Sequence, residues 1–194
     1  MNNTETRSRG QVVRGRGVGT LVGARIGFFW MCYGLVRLPK TAGALLAVIS
    51  VVICFGIIRY ATGLIKISKT MPPPVAPESR ANRKVRLLFW LNFIIEIILL
   101  NIVFQLLTNG SLEDYLIPAI SIIVGIHFVP MAFFMKVRPY FFCAAALVVC
   151  AVITMVLLQL KVASVDFLAA IEAIANAIIL WATAAQKMLY KQAY

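Results

Sequence analysis

Charge is scarce in this sequence, and acidic charge is scarcest. Asp, Glu, Lys and Arg make up 13% of the 194 residues, and only 7 of those are acidic, whereas a soluble domain is roughly a quarter charged. A shortage on that scale excludes a water-facing domain of any size. Histidine occurs once, and the 4 cysteines, Cys32, Cys54, Cys143 and Cys150, include no Cys-x-x-Cys pair. A zinc site and a disulfide framework therefore lack the residues they are built from, and the cysteines read as small apolar packing groups. There is no His-Glu-x-x-His motif, no Gly-x-Ser-x-Gly elbow and no phosphate-binding Gly-x-x-x-x-Gly-Lys loop. Known routes to metal hydrolysis, serine hydrolysis and ATP-driven work are missing from the chain itself.

What the chain has instead is apolar length. Hydrophobic residues make up 61% of it, and its mean hydropathy is +0.90. A membrane-spanning helix needs roughly 20 apolar residues, so six spans with short connections would use nearly all of the chain. The expected fold is an all-α polytopic transmembrane bundle. Its spans are expected at about 18–38, 42–58, 87–107, 115–135, 140–160 and 163–187. They are flanked by a basic N-terminal tail over 1–17 and a C-terminal tail over 188–194. The first apolar segment contains Arg25 and has no small-residue cleavage site before Arg37, which predicts a retained helix and not a signal peptide. Pro39 and Pro139 mark two turns, Asn109-Gly110-Ser111 a third, and Lys161 the last. The longest break, 59–86, holds Pro72, Pro73, Pro74 and Pro77 and is expected to be an exposed linker.

The net charge of +12 is unevenly placed. Arg7, Arg9, Arg14 and Arg16 precede the first span, and Arg59, Lys66, Lys69, Arg80, Arg83, Lys84 and Arg86 lie in the long break. Lys136, Arg138, Lys187 and Lys191 fall on the same side if six helices alternate. By the positive-inside rule that side, with both termini, is the cytoplasm, with Arg37, Lys40 and Lys161 as exceptions. Each such cation adds about 1 kcal/mol of attraction to anionic headgroups, which makes anionic lipid the expected surface partner. The short Arg-Gly run over 7–17 lacks interleaved aromatics, so nucleic acid is not an expected partner.

Four ionisable residues fall well inside the spans: Arg25, Glu96, His127 and Glu172. Each costs about 2.5 to 3.5 kcal/mol or more to insert near a bilayer centre, so such groups face the bundle interior and have partners or functions. Asn92 precedes Glu96 by four residues and Asn176 follows Glu172 by four, which puts each amide on the face of its carboxylate. One reading pairs Arg25 with Glu96 or Glu172 to fix helix register. The other makes Arg25, Glu96, His127, Glu172, Asn92 and Asn176 a site for a ligand, ion or proton, because two acids, a cation and an imidazole exceed what one register pair needs. Pro130 removes the hydrogen bond to the Ile126 carbonyl and is expected to bend the fourth helix beside His127.

The segment Ile95-Glu96-Ile97-Ile98 with Asn101 is similar to Ile171-Glu172-Ala173-Ile174 with Asn176, each in the third helix of its half, which suggests a 3+3 inverted repeat. The stretch Gly125-Ile126-His127-Phe128-Val129-Pro130-Met131-Ala132, followed by the Lys136 to Pro139 turn, resembles a family of uncharacterised bacterial six-span membrane proteins carrying Gly-x-His-Phe-x-Pro-x-Ala. That resemblance covers about 40 residues of the second half. It implies a bacterial inner-membrane location and a role for His127, without a substrate. In size and span number the chain also looks like the substrate-capture subunits of energy-coupling-factor importers. In those subunits small residues of helix 1 dock on a partner, as Gly19, Gly23 and Gly27 would here.

The expected function is a small transporter or membrane substrate-binding subunit for a small molecule or ion, working as a homo-oligomer or with a partner subunit. The alternative is an accessory or scaffold protein with a basic lipid- or partner-binding face, whose linker docks through Pro72 to Pro74. An intramembrane enzyme, with Glu96 or Glu172 as base and His127 as its partner, is the third reading. Neither a catalytic residue, a metal nor a cofactor is assigned.

Overall fold

Hydrocarbon offers backbone amides no partner, so each apolar segment must satisfy its own hydrogen bonds, and helices result. A computed structural model describes residues 9–71, 80–135 and 137–189, and within them every regular element is helical. The order is α1 (Arg9–Val36), α2 (Lys40–Thr70), α3 (Arg80–Asn109), a single 3-10 turn (Glu113–Tyr115), α4 (Leu116–Met135), α5 (Pro139–Gln159) and α6 (Val165–Leu189). All 6 α-helices are long and apolar enough to cross a membrane. The chain is thus an all-α, multi-pass bundle.

The first three helices run further than the sequence predicts. Helix α1 begins at Arg9, inside the expected tail, and the expected linker is helical over 59–70 and again from Arg80. The reason is local, since 59–70 holds no proline and nothing there breaks the backbone ladder. The prolines at 72–77, and with them the proposed docking segment, lie outside the described residues. At about 1.5 Å per residue, α2 and α3 are each about 45 Å long, against a hydrocarbon layer of about 30 Å. Their basic ends therefore project past the spans as helix. The first turn of α1 travels with them, because a Cβ on Gly10 would lie 3.3 Å from the Met71 Cβ.

The turns are set by a few residues. Pro39 immediately precedes α2, and Pro139 opens α5, where the missing N–H costs nothing. Helices α3 and α5 end on residues with positive φ, Ser111 at 54° and Lys161 at 52°. In each case the next N–H reaches back to close the helix, Leu112 to the Leu107 carbonyl at 2.8 Å and Val162 to the Leu157 carbonyl at 3.2 Å. The left-handed residue of the Asn109-Gly110-Ser111 turn is Ser111, not the glycine.

Helix α1 is sandwiched between α2 and α6, and α4 between α5 and α3; α5 packs on α6 and joins the two groups into an open row, α2, α1, α6, α5, α4, α3. Helices α2 and α3 are outermost, and no residue in the α3 span is buried. Close approach of α1 to its neighbours depends on glycine. A Cβ on Gly34 would sit 2.8 Å from the Ala170 carbonyl oxygen, and one on Gly27 would sit 2.6 Å from Trp181 Nε1. The small-residue face expected to dock on a partner thus packs, at Gly23 and Gly27, against α6 of the same chain. Two donors converge on the Ala24 carbonyl, Trp181 Nε1 at 3.1 Å from α6 and Cys54 Sγ at 3.7 Å from α2. Ala24, Met31, Cys54, Ile57, Ala177, Trp181 and Ala184 form the core there. All 4 cysteines are free thiols, and Cys54 and Cys143 are buried, as packing groups should be.

Candidate functional site

Helix α6 is rich in alanine, which lets α1, α4 and α5 approach it closely and leaves its two polar residues enclosed. Glu172 is 2% exposed and Asn176 is fully buried. The hydroxyls of Ser121 on α4 and Thr154 on α5 face the Glu172 carboxylate, yet neither oxygen of that carboxylate has a hydrogen-bond partner among the described residues. Asn176 is fixed by its amide, whose Nδ2 donates to Ser121 Oγ at 2.7 Å while Ser121 donates to the Ile117 carbonyl at 3.0 Å. Its Oδ1 is left buried and unpartnered. Side chains on a helix lean toward its N-terminus, so Asn176, one turn after Glu172, reaches back over the carboxylate. Three buried acceptor oxygens without a partner in standard hydrogen-bonding geometry therefore lie one helical turn apart on the same face of α6.

Glu96 has a different environment. Its Oε2 lies 3.2 Å from His127 Nδ1, with the two side chains 13% and 11% exposed. Asn92 Nδ2 lies 2.9 Å from the same ring nitrogen and donates to the His127 backbone carbonyl at 3.2 Å. Asn92 and Glu96, which spacing places on one face, thus form a cluster with His127 that ties α3 to α4. One nitrogen cannot accept from the amide and donate to the carboxylate at once, so the cluster has two proton arrangements. The carbonyl that accepts the Asn92 amide is that of His127 and not that of Ile126, whose side chain is exposed. Helix α4 stays continuous through Pro130.

Measured along the helices from the end where Asn109, Leu116, Gln159 and Val165 lie, Glu172 sits about 10 Å deep and Glu96 about 20 Å deep. The two carboxylates therefore lie on opposite sides of the middle of a layer of about 30 Å. They do not share one pocket, but both border α4, through Ser121 and His127. Arg25 belongs to neither. It is exposed and lines a groove of about 410 Å³ between α1 and α2 with Phe28, Phe29, Val51, Cys54, Phe55 and Ile58. Among the described residues it forms no ion pair, so the expected Arg25 to glutamate pair is absent. Asn101, matched to Asn176 by the repeat, is exposed and bonds its own Ile97 carbonyl at 2.8 Å.

The two ends of the bundle differ in charge. At the end nearer Glu172, Arg37, Lys40 and Lys161 are matched by Glu113, Asp114 and Asp166, with Arg37 Nε 3.6 Å from Asp166 Oδ1. Arg37 also lies 3.7 Å over the Tyr33 ring. The three residues that broke the positive-inside pattern thus stand together on one electrically balanced face. The other end carries Arg14, Arg16, Lys66, Lys69, Arg83, Lys84, Arg86 and Arg138 with no acid among the described residues.

Comparison with protein-family models, curated proteins and solved structures finds no match. The site therefore rests on its own geometry. Sequence reasoning missed Ser121 and Thr154, whose only signal is a hydroxyl inside an otherwise apolar helix. No group of three or more metal-binding side chains occurs among the described residues.

Proposed function

We propose that this chain is a small membrane transport protein whose translocated species passes the Glu172 pocket. The observation that carries the reading is the state of that carboxylate: buried, without a cationic partner, and with only the Ser121 and Thr154 hydroxyls beside it, neither in standard hydrogen-bonding geometry to its oxygens. A charge left in that condition destabilises the bundle, and structural register would be served by pairing it. Glu96, by contrast, has found its partners. A second carboxylate station on the other side of the membrane's middle, bordering the same α4, supports passage across the layer.

The packing order supports an inverted repeat in part. Under it α1 corresponds to α4, and each does lie between two helices that correspond as well, α2 with α5 and α6 with α3. The correspondence breaks where α5 packs on α6 while α2 and α3 do not pack along each other. In alternating access, the opposite state closes α2 on α3 and parts α5 from α6. The basic end is assigned to the cytoplasm and the membrane to a bacterial inner membrane, supported by the charge asymmetry and by the resemblance at Gly125 to Ala132. Anionic lipid at that end fits the helical basic extensions, and the scaffold reading needs no more than this.

The test is flux into proteoliposomes of the purified protein, loaded with proton- or sodium-sensitive dye, under imposed pH and sodium gradients. Wild type is expected to move one of these ions and Glu172→Gln to lose most of that flux. Wild-type vesicles no leakier than empty ones under every gradient would refute transport by the isolated chain.

A further inference from the structure

We propose that Glu172, Asn176, Ser121 and Thr154 form a binding site for one dehydrated monovalent cation of the alkali class, with a proton competing for the Glu172 carboxylate. This names the ion of the transport reading, and rests on that reading only for the claim that the ion moves.

The donor set decides the class. The polar groups gathered around Glu172 are oxygens: its own two, the unpartnered Oδ1 of Asn176, and the hydroxyls of Thr154 and Ser121, with the Cys150 thiol further off. Ser121 gives its proton to Ile117 and one lone pair to Asn176, which leaves its second lone pair free. Carboxylate, carbonyl and hydroxyl oxygens suit hard cations, whereas transition metals favour imidazole or thiolate. Charge decides the valence. The pocket holds a single carboxylate, since Glu96 is engaged by His127 and Glu113, Asp114 and Asp166 are exposed at the bundle end. A monovalent ion neutralises it. A divalent ion would leave a net positive charge in a low-dielectric interior, at a cost no nearby group offsets.

Oxygen count favours a cation over a proton acting alone. A protonated Glu172 has one O–H to donate and satisfies one acceptor, so the last orphan oxygen would need the proton of the Thr154 hydroxyl. A spherical cation at their centre satisfies all of them. The titratable groups that face Glu172 are Tyr33 on α1 and Cys150 on α5, and α4 presents Ser121. None of these groups is a cation in any protonation state, so among the described residues no protein cation already occupies the place of the ion.

The experiment is thermal unfolding of the detergent-solubilised full chain in LiCl, NaCl or KCl, balanced with choline chloride to constant ionic strength, at several pH values. Wild type is expected to melt higher as one alkali ion is raised, since a hundredfold excess over Kd shifts the folding equilibrium about a hundredfold. Lowering the pH is expected to move the response to higher ion concentration, because binding displaces a proton. Glu172→Gln should lose the response, Asn176→Ala and Thr154→Val should weaken it about tenfold or more, and Glu96→Gln should keep it. If Glu172→Gln does not fold, the Asn176 and Thr154 variants carry the test. A wild-type melt identical in all four salts overturns the proposal, as does an equal response in the Glu172, Asn176 and Thr154 variants. A melt that follows pH through Glu172 but ignores every cation also overturns it, and leaves proton-linked transport standing. Cation binding without flux keeps the site and removes the transport reading.

Discussion

Replacing Gly27 with alanine tests whether α1 and α6 are held as closely as the glycines imply. The new Cβ would lie 2.6 Å from Trp181 Nε1 and 2.7 Å from its Cδ1, closer than carbon approaches either atom. The indole must move, and in moving it gives up the 3.1 Å bond to the Ala24 carbonyl. Trp181 is buried, so the unpaired N–H costs about 1 to 3 kcal/mol and the displaced packing about as much again. Alanine's better helix propensity returns about 1 kcal/mol, for a net loss of about 1 to 5 kcal/mol. Gly34→Ala should behave alike, because the Ala170 carbonyl 2.8 Å away is backbone and moves only with α6. Gly56→Ala is the control, with no atom within 4 Å of its Cβ, and should be neutral or slightly stabilising. The assay is equilibrium unfolding in mixed micelles at increasing denaturing-detergent fraction. Gly27→Ala unfolding at the midpoint of Gly56→Ala would refute the close packing of these helices.

The two left-handed turn residues should each gain from glycine: Lys161→Gly and Ser111→Gly are expected to stabilise by about 1 kcal/mol in the same assay, whereas alanine at either place should not. A double-mutant cycle of Asn92→Leu with His127→Phe should give a coupling of about 0.6 to 1.7 kcal/mol, the range for interhelical hydrogen bonds in membranes, and no coupling would mean α3 is held by apolar contact alone. Breaking the exposed Arg37 to Asp166 pair by Asp166→Asn should cost less than about 1 kcal/mol and vanish at high salt.

The number of helices was legible because hydrocarbon allows so few structures that apolar length nearly dictates them. The 3-10 turn, the helical run over 59–70 and the early start of α1 were not, because polar residues at a span's end are equally compatible with helix and with loop. Spacing placed Asn92 on the face of Glu96 and Asn176 on the face of Glu172, since one-turn separation on a helix is a local property. It could not say which helix each pair would face. Arg25 shows the limit: opposite charge made a pair with a glutamate attractive, but the rotation of α1 is set by Gly27 and Gly34 against α6, and that rotation turns Arg25 outward.

The same division explains why only one of two similar carboxylates is offered as a ligand group. Glu96 sits on α3, an outer helix with no buried residue in its span, and its polar contacts are what fasten that helix to α4. The Glu96 carboxylate is already tied through Oε2 to the His127 imidazole, and an ion bound there would compete with that fastening. Glu172 sits on α6, which is already fixed by alanine packing against α1 and by the Trp181 bond to Ala24. The fold does not need its carboxylate as a tether, so the bare oxygens can serve a ligand without loosening the bundle. A substitution that neutralises Glu172 should accordingly leave the fold intact, whereas the same change at Glu96 frees His127 and weakens the hold on α3.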